Sequence, residues 1–233
     1  MSDFPYRSAL IVGVGPGISA SLARRLSALG VKVGLAARDT GKLSALVEET
    51  GAAAFAADSS KADSVAALFE EAGKTIGEPD IVVYNPSTRV RGPLVELDPA
   101  AVEQALAVSA FGAFLVVQQA ARRMVPNGRG AILLTGATAG VKGFANSAAF
   151  AMGKFALRGL AQSAARELGP KGIHVAHFVI DGGVRSSQRP DPADRPDSML
   201  DPDAIAQTYV DVLRQPRSAW SLEVELRPWV ERF

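Results

Sequence analysis

A β-favouring run, a glycine-rich turn and a helical pattern open the chain, and this order constrains the fold more than any other feature. Residues 8–14 form the first run, and three glycines bring it to an end: Gly13, Gly15 and Gly17. Apolar residues then recur at helical spacing over 19–29, Gly30 follows as a helix-ending glycine, and 31–37 form a second β-favouring run. The pattern predicts a β-α-β unit whose first turn offers backbone N–H groups and a helix N-terminus to a phosphate.

An alternative interpretation of the three glycines is that they only make a tight turn. Their position near the start of the chain, after a strand and before a helix, favours the phosphate site.

The same alternation continues to the end of the chain. Further strands are predicted at 52–57, 80–84, 129–135, 172–180 and 222–226. Helices are predicted at 40–50, 60–75, 99–125, 147–169 and 202–213. We therefore predict an α/β fold: a single Rossmann-type, doubly wound domain over 1–233, with a seven-stranded parallel sheet flanked by helices and ligands at the carboxyl ends of the strands. The proline-rich segment 184–201 is predicted to be a substrate loop or lid, and 215–233 a C-terminal tail.

Composition excludes several classes of function. The chain has 233 residues, with 25 Lys and Arg against 24 Asp and Glu, so no nucleic-acid partner is expected. It has no cysteine, which excludes disulfides and thiol chemistry. His174 and His177 are three apart on a predicted strand and point to opposite faces, so no metal site is predicted. Without a signal peptide or an uninterrupted apolar run of about 18 residues, a cytoplasmic protein without membrane contact is expected.

Two predicted helices are apolar or small-sided nearly all round. Residues 107–120 carry no charge, and 147–169 carry only four charged residues. A helix that covers a sheet needs one apolar stripe, so a second apolar face predicts contact with another subunit, in a homodimer or homotetramer. Burial under the chain's own loops is the alternative.

Over about residues 8–186 the chain resembles the short-chain dehydrogenase/reductase family. That family's glycine turn has the form T-G-x-x-x-G-x-G, and here 12–19 read VGVGPGIS, so two glycines match and Ser19 replaces the third. The resemblance implies that the cofactor's phosphates lie on this turn, against Gly13, Gly15, Gly17, Ile18 and Ser19.

The end of the second strand indicates which dinucleotide is bound. An acidic residue in the Ala37 slot would accept hydrogen bonds from the adenosine ribose, but the slot is apolar and Arg38 follows it. A guanidinium suits a 2′-phosphate, so NADP(H) is favoured over NAD(H); the alternative is a solvated turn arginine. The resemblance also implies cofactor contacts at Asp58, Ser59, Asn85, Lys154, Asp181, Gly182, Val184 and Ser186. Asp58 is equally suited to capping the next helix.

The family's catalytic residues are the least well matched. Its Tyr-x-x-x-Lys pattern falls on Phe150 and Lys154, so the lysine is kept and the phenol is not. The serine slot falls on Ala137, with Thr138 beside it, and the helix asparagine slot falls on Ser109. The resemblance is thus to a divergent member without the catalytic tyrosine and serine.

Three functions are compatible with this set. The first is an NADP(H)-dependent oxidoreductase of an unidentified small molecule with a non-standard proton donor, for which the candidates are Thr138, Ser147, Ser87, Asp181 and Tyr84. The second is an NADP(H)-binding protein without redox turnover, acting as a sensor or partner subunit. The third is an isomerase or dehydratase in the same pocket. Arg89 and Arg91 follow the fourth strand, where they either meet an anionic substrate or sit on a solvated loop.

Overall fold

Seven parallel strands form one sheet in the order β3-β2-β1-β4-β5-β6-β7 in the computed structural model, which describes residues 4–186 and 189–231. The strands are β1 (Ser8–Val12), β2 (Lys32–Ala37), β3 (Ala53–Ala56), β4 (Ile81–Tyr84), β5 (Gly130–Thr135), β6 (Ile173–Ile180) and β7 (Glu223–Leu226). The predicted fold class is confirmed, and the strand boundaries agree to within two residues.

Helices cover both faces of the sheet. They are α1 (Ile18–Ala28), α2 (Ser44–Thr50), α3 (Ala62–Ile76), α4 (Pro99–Leu106), α5 (Gly112–Met124), α6 (Ala148–Leu168) and α7 (Pro202–Leu213). One core lies between the sheet and α1, α2 and α7, and the other between the sheet and α3, α5 and α6. Strands β1, β4, β5 and β6 are buried along their whole length, which explains their unbroken apolar runs.

Strand order reverses between β1 and β4, because β2 and β3 lie on one side of β1 while β4 to β7 lie on the other. A crevice opens at such a reversal, outside the carboxyl ends of the strands. The loops after β1, β2, β4, β5 and β6 all meet at this edge, and they carry most of the predicted site residues.

The helix predicted over 99–125 is helical throughout, but it is not a single α-helix. Asp98 caps α4 by accepting from the backbone N–H groups of Ala100 and Ala101, as the Asp-Pro pair predicts. Between α4 and α5, residues Ala107–Phe111 form a wider π-helical turn, which apolar spacing could not reveal.

The continuous stretch Pro99–Asn127 is also apolar enough to cross a bilayer by length and composition, with a mean hydropathy of 1.8 in its most apolar window. The sequence predicts no membrane-spanning segment, because polar residues interrupt the apolar run within this stretch. In this fold 39% of that window is buried, and Val116 and Ala120 pack in the core against the sheet. A core helix of a globular domain meets the same two criteria.

The predicted lid and tail are both tied to the sheet. Within 184–201, residues 187 and 188 lie outside the described residues; the rest is irregular, with single bridges joining Val184 to Leu200 and Ser186 to Arg189. The predicted tail contains β7, which pairs with β6, and Trp220, whose ring stacks on His174 at 4.7 Å.

Candidate functional site

The glycine turn after β1 packs against Pro86 at Gly13 and is open to the cleft at Gly15 and Gly17. Gly13 has a φ of +83°, and a Cβ there would lie 2.6 Å from Pro86, so only glycine fits. Gly15 and Gly17 have nothing within 4 Å of a Cβ position, so their faces are open to the cleft. Gly17 caps α1 without a side-chain hydrogen bond, which leaves the first N–H groups of that helix available.

Ser19 stabilises the turn through two hydrogen bonds. Its hydroxyl donates to the Gly13 carbonyl at 3.1 Å and accepts from Asn85 Nδ2 at 2.7 Å. The serine in the third glycine slot therefore links the β1 turn to the loop after β4.

A first cavity of about 520 Å³ runs from this turn across the ends of β1, β2 and β4. Eleven of the fourteen predicted cofactor residues line it: Gly13, Gly15, Gly17, Ile18, Ser19, Arg38, Asp58, Ser59, Asn85, Val184 and Ser186. The remaining three, Lys154, Asp181 and Gly182, do not.

Asp58 does not cap the next helix, because the N-cap of α3 is Lys61, without a side-chain hydrogen bond. Asp58 lines the first cavity, and its Oδ1 accepts from the backbone N–H of Ser60 at 3.0 Å and from the Ser60 hydroxyl at 2.7 Å. These hydrogen bonds lower the pKa of Asp58, and the nearby charges of Arg38 and Lys61 lower it further. An ionised carboxylate and the Arg38 guanidinium thus lie at the same end of the cavity.

A second cavity of about 540 Å³ lies over the ends of β5 and β6. Ile18, Asn85, Ser87 and Val184 line both cavities, so the two form one continuous cleft. Lys154, Phe150, Ala137, Thr138 and Gly182 all line the second cavity. Four side chains in its lining are cationic and none is acidic, within the part of the chain that the structure describes.

Lys154 lies on the second turn of α6, fully within the protein. Its Nζ donates to the Thr135 carbonyl at 2.7 Å and reaches the cavity lining. Burial lowers the pKa of Lys154 to about 7, and the positive charge of Arg89 contributes to the same shift. The lysine is therefore poised to change charge near neutral pH.

Phe150 occupies the tyrosine slot one turn before Lys154. The Arg89 guanidinium carbon lies 4.4 Å from the centre of the Phe150 ring, and Lys154 Nζ lies 5.8 Å from it. Neither the ring nor the methyl group of Ala137 can transfer a proton, so the usual tyrosine–serine pair has no counterpart at these two positions.

Thr138, next to the serine slot, is coupled to a buried carboxylate. Its hydroxyl donates to Asp181 Oδ1, and Asp181 Oδ2 lies 3.7 Å from Arg227 Nη2. Asp181 lines neither cavity, and its carboxylate contacts Thr138 and Arg227 instead, so a carboxylate beside the nicotinamide stays a prediction. No local pattern in the sequence indicates this contact, because Arg227 lies in the predicted tail, far along the chain from Thr138.

The other predicted proton donors separate into two groups. Ser87 and Ser147 line the second cavity. Tyr84 does not: it is fully buried, donates to the Val108 carbonyl and is hydrogen-bonded to Ser59 Oγ at 3.2 Å, while burial raises its pKa. Tyr84 is thus wrong as a proton-donor candidate. Ser109 is buried in the π-helical turn, where its Oγ accepts from the Thr88 N–H at 3.4 Å, and it lines neither cavity.

The two histidines of β6 have separate partners. His174 Nε2 lies 2.9 Å from the Ser221 carbonyl, and His177 Nδ1 lies 3.0 Å from Glu223. Among residues 4–186 and 189–231, no group of three or more His, Cys, Asp or Glu side chains is arranged to hold a metal ion.

Comparison with known proteins gives a consistent family. The family model described as short chain dehydrogenase matches residues 7–190. The cyclic-di-GMP-binding biofilm dispersal mediator protein of Escherichia coli (strain K12) is 32% identical over 194 residues, which cover 82% of this chain and 78% of that protein.

Two solved structures share the whole fold. A short-chain dehydrogenase from Rhodopseudomonas palustris superposes with a TM-score of 0.83 and 33% identity, over 96% of this chain and 99% of that one. A metagenomic short-chain oxidoreductase in complex with NADP has a TM-score of 0.83 and 29% identity, over 97% of this chain and 98% of that one.

Proposed function

The chain belongs to the short-chain dehydrogenase/reductase family, and on this premise we propose that it is an NADP(H)-dependent oxidoreductase of a small molecule with a non-standard proton donor. The observation that carries the proposal is the continuous cleft, in which the glycine turn and Arg38 lie at one end and Lys154 and Thr138 at the other. A dinucleotide site and a reaction pocket are thereby adjacent, and we expect the protein to act in the cytoplasm.

The residues of the first cavity fit a dinucleotide phosphate. The open faces of Gly15 and Gly17 leave room against the uncapped start of α1. Arg38 supplies a cation at the end of β2, where Ala37 stands in place of an acidic residue. The chemistry that NADP(H) supplies when bound is hydride transfer. Lys154 has ammonium protons left to donate after its hydrogen bond to Thr135, and it would hold the nicotinamide ribose as the family resemblance implies.

Thr138 and Asp181 are the pair that we propose for proton transfer. Because the Thr138 hydroxyl donates its hydrogen bond to Asp181, the lone pairs of its oxygen remain to accept a hydrogen bond from a substrate hydroxyl in the cavity. During oxidation the substrate proton would pass to Thr138 while the proton of Thr138 passes to Asp181. Reduction would use the same path in reverse.

A protein that binds NADP(H) without turnover is the second candidate. It is favoured by the two side chains that cannot transfer protons, Phe150 and Ala137, and by a relative whose name describes nucleotide binding rather than a reaction. In that case the cleft would serve a sensor or a partner subunit.

The first experiment separates these candidates. Thermal shifts with NADPH and NADH, followed by turnover assays on carbonyl, enone and imine panels, are expected to give a larger NADPH shift and measurable turnover. An NADPH shift without turnover on any panel would favour the second candidate, and no shift with either nucleotide would refute both.

The second experiment restores the family's proton donor. Phe150→Tyr combined with Ala137→Ser is expected to add ketone reductase activity without changing NADPH affinity. No gain would indicate that the natural substrate or reaction lies outside the family's usual range.

We also propose a homo-oligomer built through the helices on the α5 and α6 side. Four large apolar side chains of this surface are between 42% and 52% exposed: Phe111, Phe114, Met152 and Phe155. Burying this patch would be favourable at about 25 cal/mol per Å². Light scattering at micromolar concentration should report a dimer or tetramer, and a monomer would contradict the proposal.

A further inference from the structure

We propose that the substrate of this site carries an anionic oxyacid group, a carboxylate or a phosphate, which Arg89, Arg91 and Arg189 bind in the second cavity. The inference rests on the proposed function only in taking this cavity as the place where the substrate binds. It adds the chemical class of that substrate.

The three arginines reach the cavity from two separate segments. Arg89 and Arg91 lie in the loop after β4, and Arg189 lies in the proline-rich segment after β6. Arg189 closely approaches the loop at Gly183, where a Cβ would lie 3.0 Å from its Nη2 atom. Two segments far apart in sequence thus bring like charges to one wall.

These charges are not neutralised by the protein itself. No acidic side chain among the described residues lines the cavity, and within 4–186 and 189–231 none of the three arginines forms a salt bridge. Arg185, in contrast, pairs with Asp191 and Asp201. Arg185 and Arg195 do not line this cavity and have acidic partners, whereas Arg189 lines it and has none among the described residues.

The like charges also act on one another. Partial burial lowers the pKa of Arg89, and the positive charges of Arg91 and Arg189 lower it further. Repulsion of this kind disfavours the cluster in the free protein, and an anion bound between the guanidinium groups would relieve it. The arrangement is therefore more favourable with an anionic ligand than without one.

Phe150 gives the site a defined geometry. The Arg89 guanidinium carbon lies 4.4 Å from the ring centre, within the range of a cation–π contact. This contact restricts the position of the guanidinium, whose N–H groups match the two oxygens of a carboxylate or phosphate. Phenylalanine in the tyrosine slot is thus explained as a platform for Arg89, which lies at the place where the substrate must meet Lys154 and Thr138.

The test measures binding and does not depend on turnover. In the presence of NADP+, which cannot reduce a carbonyl, calorimetric titrations compare small 2-oxo and 3-oxo acids with their methyl esters, and phosphate monoesters with the parent alcohols. We expect at least one acid or phosphate monoester to bind at least about 10-fold more tightly than its uncharged counterpart. Comparing the two series identifies which oxyacid the site prefers.

Variants assign the binding to the cluster. Arg89→Gln should weaken binding of the preferred anion by about 10- to 100-fold and leave the ester unchanged, and Arg89→Lys should recover only part of the loss. Arg166→Gln, on the exposed side of α6, removes the same net charge outside the cleft and should have no effect.

Three results would overturn the inference: esters that bind as well as acids, no anion that binds at all, or an anion whose affinity is insensitive to Arg89→Gln. Failure of NADP+ to bind would instead refute the proposed function. The anions would then be titrated without nucleotide, so the cluster is judged independently.

Discussion

Thr138 donates its hydroxyl hydrogen bond to the buried carboxylate of Asp181, and Asp181 in turn lies 3.7 Å from Arg227. Thr138 follows β5, Asp181 follows β6 and Arg227 follows β7, so three adjacent strands of the sheet bring the group together. Among the hydrogen bonds of the described residues, a second hydroxyl–carboxylate pair near the cleft joins Ser60 to Asp58, but Asp58 lines the first cavity, whereas Thr138 lines the second.

Removing the hydroxyl of Thr138 should impair catalysis and not cofactor binding. Thr138→Val keeps the shape of the side chain but cannot relay a proton, so kcat should fall by about 10²- to 10⁴-fold. Thr138→Ser should retain most of the activity. Steady-state kinetics together with NADPH titration check this, and a Thr138→Val enzyme with unchanged kcat would eliminate the proposed pair.

Arg38 should determine the preference between the two dinucleotides. Arg38→Ala removes the cation at the adenosine end of the cavity and should weaken NADPH binding by about 10- to 100-fold. NADH affinity should be unaffected, because NADH has no 2′-phosphate. An equal loss of affinity for both nucleotides would mean that Arg38 stabilises the loop rather than binding the 2′-phosphate.

The buried Lys154 should make stability depend on pH in a defined direction. Its pKa of about 7 in the folded protein lies below the ordinary value of 10.5, so between these values the unfolded chain binds more protons. The contribution of Lys154 to the free energy of unfolding therefore rises with pH across this window, by at most about 1.4 kcal/mol per pH unit.

Urea denaturation between pH 7 and 9 tests this prediction by comparing the wild type with Lys154→Met. The stability of the wild type relative to the variant should increase with pH, because other titrating groups cancel in the difference. A constant difference would show that the folded and unfolded pKa values of Lys154 are the same.

Gly112 should tolerate no side chain. A Cβ there would lie 2.6 Å from both the Ser59 carbonyl oxygen and the Tyr84 hydroxyl, so Gly112→Ala should destabilise the protein by about 1–3 kcal/mol. Gly159→Ala is the matched control: it lies in helix α6 with nothing within 4 Å, and it should be neutral or stabilising. Thermal denaturation of the two variants gives the comparison, and equal effects would contradict the packing argument.

The sequence alone was sufficient for the architecture and for most of the predicted residues that line the first cavity. The seven strands and the glycine turn follow from local patterns, because apolar runs, capping residues and helix-ending glycines act over a few neighbouring residues. The positions of Arg38, Asp58 and Asn85 follow as well, since each comes directly after a strand and parallel strands end at the same edge. Lys154 was found through the spacing of the family pattern.

Only the tertiary structure decided what the polar side chains contact. Asp181 is predicted as a cofactor residue, and the structure shows its carboxylate in contact with Thr138 and Arg227. Tyr84 is predicted as a candidate proton donor, and its hydroxyl is buried against the Val108 carbonyl. Arg89 and Arg189 come from distant segments to one cavity, with Arg89 lying on the ring of Phe150. Such contacts depend on how loops from different strands pack, which no local pattern encodes, whereas the strands themselves are specified by the burial of their own apolar residues.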